Sequence, residues 1–156
     1  MVKGSLTIRE NISGAITNLN GLSELTSIEG NLDILVNTNL TTLSGLNNIT
    51  TVGGNLLVSD NDKLTSLIAL SKISSVGGHL SISENDILNS LNGLNNITSV
   101  GGHLDISWSS LSSLNGLNNI TSVGGDLYIG YNYDITSLNG LNDITNVGGG
   151  VVVSEN

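Results

Sequence analysis

The chain has no cysteine, no proline and no phenylalanine, and only 3% of its 156 residues are aromatic. Without cysteine there are no disulfides and no thiolate metal sites, although this alone assigns no compartment. Without large rings the interior must be filled by Leu, Ile and Val, which suits a narrow column. Charge is also scarce, at 11% of residues, and one-sided: thirteen acids oppose four bases, for a net −9. The imbalance is uneven. Residues 1–78 hold all four bases and six acids, or −2, whereas residues 79–156 hold seven acids and no Lys or Arg, or −7. Repulsion from phosphate argues against nucleic acid and anionic lipid surfaces as partners. No stretch approaches about 18 consecutive apolar residues, so membrane insertion is not expected. The opening MVKGSLTIRENISGA lacks the apolar run of a signal peptide.

What the chain has instead is a repeat. Aligning on the glycine before each Leu-x-Ile gives Gly4, Gly30, Gly54, Gly78, Gly102, Gly125 and Gly149, a period of about 24 residues. The cleanest copy, Gly78–Val100, reads GHLSISENDILNSLNGLNNITSV. Self-similarity at such a fixed period signals a solenoid, in which each unit buries its apolar edge only against its neighbours. Residues 1–156 therefore read as one solenoid domain without recognisable caps.

Two apolar rows keep the strand period of two: Leu6, Leu32, Leu56, Leu80, Leu104, Leu127, Val151, and Ile8, Ile34, Val58, Ile82, Ile106, Ile129, Val153. Five more follow at steps of three, as in Leu88, Leu91, Leu94, Ile97 and Val100. Strict steps of three drift around a helix, so the pattern suits short turned segments that drop one apolar side chain inward per corner. The expectation is an all-β, parallel β-solenoid of six to seven turns, with one regular strand and two irregular sides per turn. Each inward aliphatic contributes roughly 1.5–3 kcal/mol on burial.

Polar rows accompany these. Asn11, Asn37, Asn61, Asn85, Asn132 and Asn156 stand seven places after the aligned glycine, with Ser109 interrupting in the one repeat that is a residue short. An amide on every level can bond corner backbone groups and its own copies above and below, forming a structural ladder. Gly21, Gly45, Gly93, Gly116 and Gly140 make a corner row in which Ala69 is the exception, and the doubled glycines before each strand suggest another bend.

The pattern GGxLxISxN…LxSLxGLxNITSV covers essentially the whole chain and resembles the leucine-rich-repeat-like units of receptor L domains and of bacterial surface proteins carrying such repeats. The resemblance implies a right-handed solenoid, a non-enzymatic role and a place outside the cell or at its surface. The paired cysteines of the animal receptor domains are missing, which favours a microbial relative.

Both ends show the same phase of the repeat, GSLTIREN at Gly4–Asn11 and GGVVVSEN at Gly149–Asn156. Open solenoid ends expose core and unpaired strand edge. Parallel contact of Val151, Val152 and Val153 with Leu6, Ile8 and Arg9 of another copy would stack subunits head to tail into a filament. The corners at such a joint are one layer short, so a filament needs an offset between copies or the two-residue insertion around residues 12–15 to help fill the gap.

Four groups of residues are candidates for chemistry. His79 and His103 share one outward position on neighbouring turns, followed by Asp126, but a flat file supplies poor tetrahedral geometry for a metal. Asp60, Asp62, Glu84 and Asp86 bracket two ladder asparagines and are candidates for Ca²⁺, which accepts oxygens in loose geometry. Trp108 and Tyr131 share an outward offset on adjacent turns, with Tyr128 and Tyr133 nearby, and make an aromatic patch for a glycan or protein contact. Asn11, Asn39, Asn48, Asn96 and Asn119 each begin an N-x-[ST] sequon, which matters only in a glycosylating compartment. No Ser/His/Asp or Cys/His arrangement and no phosphate loop is present, so the expected function is not enzymatic and needs no cofactor. A self-assembling structural subunit is the favoured reading, and a recognition module for a protein or glycan is the alternative.

Overall fold

The computed structural model describes residues 1–12 and 14–156. The chain forms β1 (Leu6–Arg9), β2 (Ser27–Ile28), β3 (Leu32–Leu35), β4 (Thr51–Val52), β5 (Leu56–Ser59), β6 (Leu80–Asn85) and β7 (Ser99–Val100). It continues through β8 (Leu104–Ser109), β9 (Ser122–Val123), β10 (Leu127–Gly130), β11 (Asn146–Val147) and β12 (Val151–Ser154). The result is the expected all-β solenoid, about six turns of about 24 residues.

The main sheet is parallel and seven-stranded, in the order β1-β3-β5-β6-β8-β10-β12. Its register is in phase: Leu32 faces Leu56, Leu56 faces Leu80 and Leu80 faces Leu104, so the two Leu/Ile rows stack level on level. From Leu32 to Leu104 the inward residues of the first row are fully buried, as are Ile34, Val58, Ile82 and Ile106 of the second.

One side expected to be irregular carries a second ladder. β2 pairs with β4, β7 and β11 flank β9, and isolated bridges at Val76 link the two groups. Val2 bridges Ile28 at the start of the same file. The inward Val of each ITSV unit is thus strand-paired, a detail too short to read as a period.

The steps of three have a direct cause. Leu88 N donates to Asn85 O (3.1 Å), Leu94 N to Leu91 O (3.1 Å) and Ile97 N to Leu94 O (2.9 Å). Each of these three steps closes one tight turn and leaves one aliphatic pointing inward. Between levels, Thr50 N donates to Thr26 O, Thr98 N to Ser74 O and Thr145 N to Thr121 O. The non-strand sides are therefore hydrogen-bonded from layer to layer as well.

The asparagine ladder runs through Asn37, Asn61, Asn85, Asn132 and Asn156. Asn61 is fully buried. Its side-chain amide donates to Ile34 O (3.0 Å), Ser59 O (2.9 Å) and Asn85 Oδ1 (3.3 Å), and its Oδ1 accepts from Asn37 N and Nδ2. Asn11 does not join. It lies exposed beside the insertion, in which Ser13 lies outside the described residues. The buried Oδ1 of Asn37 consequently has no hydrogen-bond partner. The residue before each ladder position, Ser109 included, takes left-handed backbone: Val36, Asp60, Glu84, Trp108, Tyr131 and Glu155 all have φ between 51 and 57°. That reversal turns the asparagine inward and its neighbour outward. It costs roughly 1–2 kcal/mol per residue, offset by the amide that clamps across it, as from Asn61 to Ser59 O.

The two glycine rows serve different needs. Gly45, Gly93, Gly116 and Gly140 have φ near 110–120°, and a Cβ on Gly93 would be driven into the Leu67 carbonyl. The doubled glycines do not make a left-handed bend. A Cβ on Gly77 would overlap the Gly53 carbonyl one layer away, so the requirement there is close approach. Gly21 and Ala69 both lie in short 3-10 turns, Asn20–Leu22 and Ile68–Leu70, where no positive φ is needed. Gly93→Ala is therefore expected to lose about 3 kcal/mol of stability, whereas Gly21→Ala should change it by under about 1 kcal/mol, in the stabilising direction. Urea unfolding of both variants checks the contrast.

Candidate functional site

The aromatic residues gather where the repeat is broken. In the regular turns two residues separate the ladder asparagine from the next inward Leu or Ile: Asp86 and Ile87 before Leu88, Tyr133 and Asp134 before Ile135. The fifth turn has only Ser110 between Ser109 and Leu111. Its corner is drawn in, leaving a hollow of about 190 Å³ lined by Asp86, Trp108, Ser109, Ser110, Tyr131 and Tyr133. Trp108 and Tyr131 form the wall. Their left-handed backbone swings both rings outward, and the rings stack with centroids 3.9 Å apart and planes within 14°. Trp108 is 50% exposed and Tyr133 70%. Such surface stacks stay open to a partner on their free faces and edges. Ser110 Oγ donates to Asp86 O (2.6 Å) and Ser109 Oγ to Ser107 O (3.2 Å), so both floor hydroxyl protons are used internally.

Tyr128 does not line this hollow. It lies on the outward face of β10 beside Asp105 of β8, with its hydroxyl over Gly130. The residues Asp60, Asp62, Glu84 and Asp86 occupy one corner on adjacent levels, but no group of three or more His, Asp or Glu side chains among the described residues is gathered to hold one ion.

The histidines belong to a polar file that runs the length of the solenoid. Ser5 Oγ accepts from Asn31 N, Asn31 Oδ1 from Asn55 N, and Asn55 Oδ1 from His79 N. His79 Nδ1 accepts from His103 N (2.9 Å), His103 Nδ1 from Asp126 N (2.7 Å), and Asp126 Oδ1 from Gly150 N (2.7 Å). The imidazoles stack with centroids 4.6 Å apart and planes within 8°. Each Nδ1 lone pair is engaged by backbone, so only Nε2 is left, and parallel rings aim their Nε2 atoms alongside one another instead of at a shared metal.

The family of the chain follows from this region. Residues 74–156, which contain the whole aromatic hollow and the histidine file, match the family model of the receptor L domain. The chain belongs to the receptor L domain family. No curated protein and no solved structure matches it. In this receptor L domain no helix among the described residues is long and apolar enough to cross a membrane.

Two carboxylates of the domain are perturbed in opposite directions. Asp33, on β3, is pushed above the usual carboxylate range by burial, against a long hydrogen bond from Thr7 Oγ1 (3.5 Å), and its Oδ1 is buried without a partner. Burial also acts to raise Glu10, but hydrogen bonds from Gly14 N (2.7 Å), Ile16 N (2.9 Å) and Thr38 outweigh it and hold the group below its ordinary value. Glu10 thereby ties the insertion to the second turn. The folded protein binds the Asp33 proton more tightly than the unfolded chain does. Stability from this group is therefore lost as pH rises from the ordinary Asp value through the raised one. Glu10 has the opposite sign, and its contribution is present at neutral pH and lost as pH falls through the lowered value. Asp33→Asn is expected to raise the urea midpoint at pH 7 and Glu10→Gln to lower it, with both differences shrinking at pH 3.

Proposed function

We propose that this receptor L domain is a non-enzymatic recognition module at or outside the cell surface, and that it engages its partner through the hollow beside Trp108 and Tyr131. The observation that carries the reading is the exposed ring stack at the one shortened repeat, inside the segment that carries the family match. Along the asparagine ladder and the file from Ser5 to Asp126, by contrast, side chains bond from layer to layer in regular rows. An enzyme needs a desolvated, convergent set of catalytic groups, whereas an open hollow with stacked rings offers contact area and orientation. Trp108→Ala is expected to weaken binding at least about tenfold against a panel of immobilised glycans and secreted proteins, with far-UV circular dichroism and melting midpoint unchanged. Partner binding that survives the substitution at full strength would count against the reading.

A second reading, head-to-tail association of copies, is supported by the end faces as far as residues 1–156 reach. At one end Leu6, Ile8, Ile16, Leu19 and Leu22 surround a hollow of about 420 Å³. At the other, Val151, Val152, Val153 and Leu138 are exposed, with Val151 at 58%. β1 and β12 are the two edges of one parallel sheet, and Val2 is already placed at the second ladder, where it would pair beyond Val147 of a preceding copy. Arg9 at the first edge would meet an end whose last 31 residues carry four acids and no base. Light scattering at increasing concentration, with electron microscopy, tests this: the expected product is unbranched fibres, shortened by Val152→Lys, and a protein monomeric at every concentration excludes it.

A further inference from the structure

We propose that the hollow at Trp108, Tyr131 and Asp86 takes an organic cation, a guanidinium or alkylammonium group. The inference rests on the recognition reading above and assigns the ligand class of the same site. Three features of the hollow select this chemistry.

The first is the use of the rings. Trp108 and Tyr131 each spend one face on the other, at 3.9 Å. Their free faces point along the solenoid axis, and the next residue of the same left-handed row is Glu84 on one side and Glu155 on the other. An aromatic face with a carboxylate one layer away, about 4.8 Å, suits a flat or rounded cation that stacks on the ring while the carboxylate receives its charge.

The second is the field. Asp86 stands at the lip of the hollow, and residues 79–156 contain no Lys or Arg to neutralise it, Glu84 or Glu155. Because a solenoid keeps sequence order along its axis, the bases at Lys63 and Lys72 belong to earlier turns, where each donates to an asparagine of the turn before it, Lys63 to Asn39 and Lys72 to Asn48. The site is therefore acidic without a counter-charge of its own.

The third is the hydrogen-bonding inventory. The hydroxyl protons of Ser109 and Ser110 are committed to Ser107 O and Asp86 O. The two serines of the floor thus present lone pairs, beside the Asp86 carboxylate, and the remaining side-chain donors of the lining are the Trp108 indole N–H and the Tyr131 and Tyr133 hydroxyls in its walls. A cation that brings donors is matched by the serine and carboxylate oxygens, whereas an anion is repelled.

The test uses the intact chain and its single tryptophan, which lies in the hollow and reports occupancy by fluorescence. Tetramethylammonium chloride and N-acetyl-arginine amide are titrated separately, with sodium chloride at matched ionic strength and maltose as the neutral control. Saturable change with one or both cations is expected, with no saturation by sodium chloride or maltose. A response to the arginine compound alone points to a basic side chain of a partner, and a response to tetramethylammonium alone to a small quaternary ligand. Asp86→Asn and Tyr131→Ala should each weaken the cation by at least about fivefold; Asp86 is exposed, so its variant keeps the test valid if Tyr131→Ala unfolds. Maltose binding without cation binding overturns the cation assignment and leaves the recognition reading standing. Neither probe binding also overturns the assignment, while the recognition reading is then decided by the Trp108→Ala panel alone. Cation binding undiminished in Asp86→Asn and Tyr131→Ala places the cation elsewhere and overturns it too.

Discussion

The structure depends on one constraint: apart from Asn37 Oδ1 and Asp33 Oδ1, the side-chain polar groups that a layer buries are answered at its own corner or by the layer next to it. A column of Leu, Ile and Val is apolar enough to fold, but hydrophobic stacking is indifferent to register and would tolerate layers that slide. The side-chain amides of Asn37, Asn61, Asn85 and Asn132 remove that freedom. Each spans its own corner and reaches a neighbouring level, so a slip of one residue would strand several buried donors and acceptors at once. The polar file from Ser5 to Asp126 repeats the device on the outside, with the acceptor alternating in chemistry among hydroxyl, amide, imidazole and carboxylate. What the row selects is a lone pair at one height, which explains why His79, His103 and Asp126 can share it with Asn31 and Asn55.

The same rule shows why a perfect repeat makes a poor binding site. Identical layers produce straight files at a fixed spacing, with side chains aimed in parallel and no point on which several converge. The parallel imidazoles of His79 and His103 and the unclustered acids at Asp60, Asp62, Glu84 and Asp86 are both consequences of this geometry. Concavity has to come from a defect. The missing residue between Ser109 and Leu111 coincides with it: the hollow is lined by Ser109 and Ser110 of the short corner and by Asp86, Tyr131 and Tyr133 of the turns on either side. The substitution of Ser for the ladder asparagine belongs to the same defect. Ser109 still accepts its place in the sheet and receives Asn132 Oδ1 at its backbone N–H, yet it lacks the amide that would bridge to Asn85.

Much of this could be read in the sequence because the code is redundant: six or seven copies of each row vote on one position. The two strand rows, the inward steps of three and most of the asparagine ladder were legible for that reason. What escaped was whatever depends on a single copy or on backbone shape. Asn11 has the right phase, but the two-residue insertion after it, tied down by the Glu10 carboxylate, leaves it outside the ladder. Tyr128 is close in sequence to Tyr131, but it stands three places after the aligned glycine instead of six, which puts it on the sheet face and not at the corner. The doubled glycines look like bend residues, whereas they answer the approach of one carbonyl layer to the next. The second ladder consists of two-residue strands, too short for any period to show.

The left-handed row joins architecture to recognition. Six residues share φ near 55°, and their side chains, from Val36 to Glu155, have almost nothing in common. The conformation recurs at the same point of every corner, before asparagine and, at Trp108, before Ser109, so the side chain at this position is turned outward and the core does not choose it. A solenoid of this kind thus offers one unconstrained, evenly spaced outward position per layer. In the first turns that position carries Val36 and Asp60, and in the later ones Glu84, Trp108, Tyr131 and Glu155, beside the one corner that recedes. The strain of a bulky left-handed residue is tolerated anywhere along the row. Next to the shortened fifth turn it also borders a hollow, and that coincidence, more than either feature alone, makes the aromatic pair a place where this surface departs from repetition.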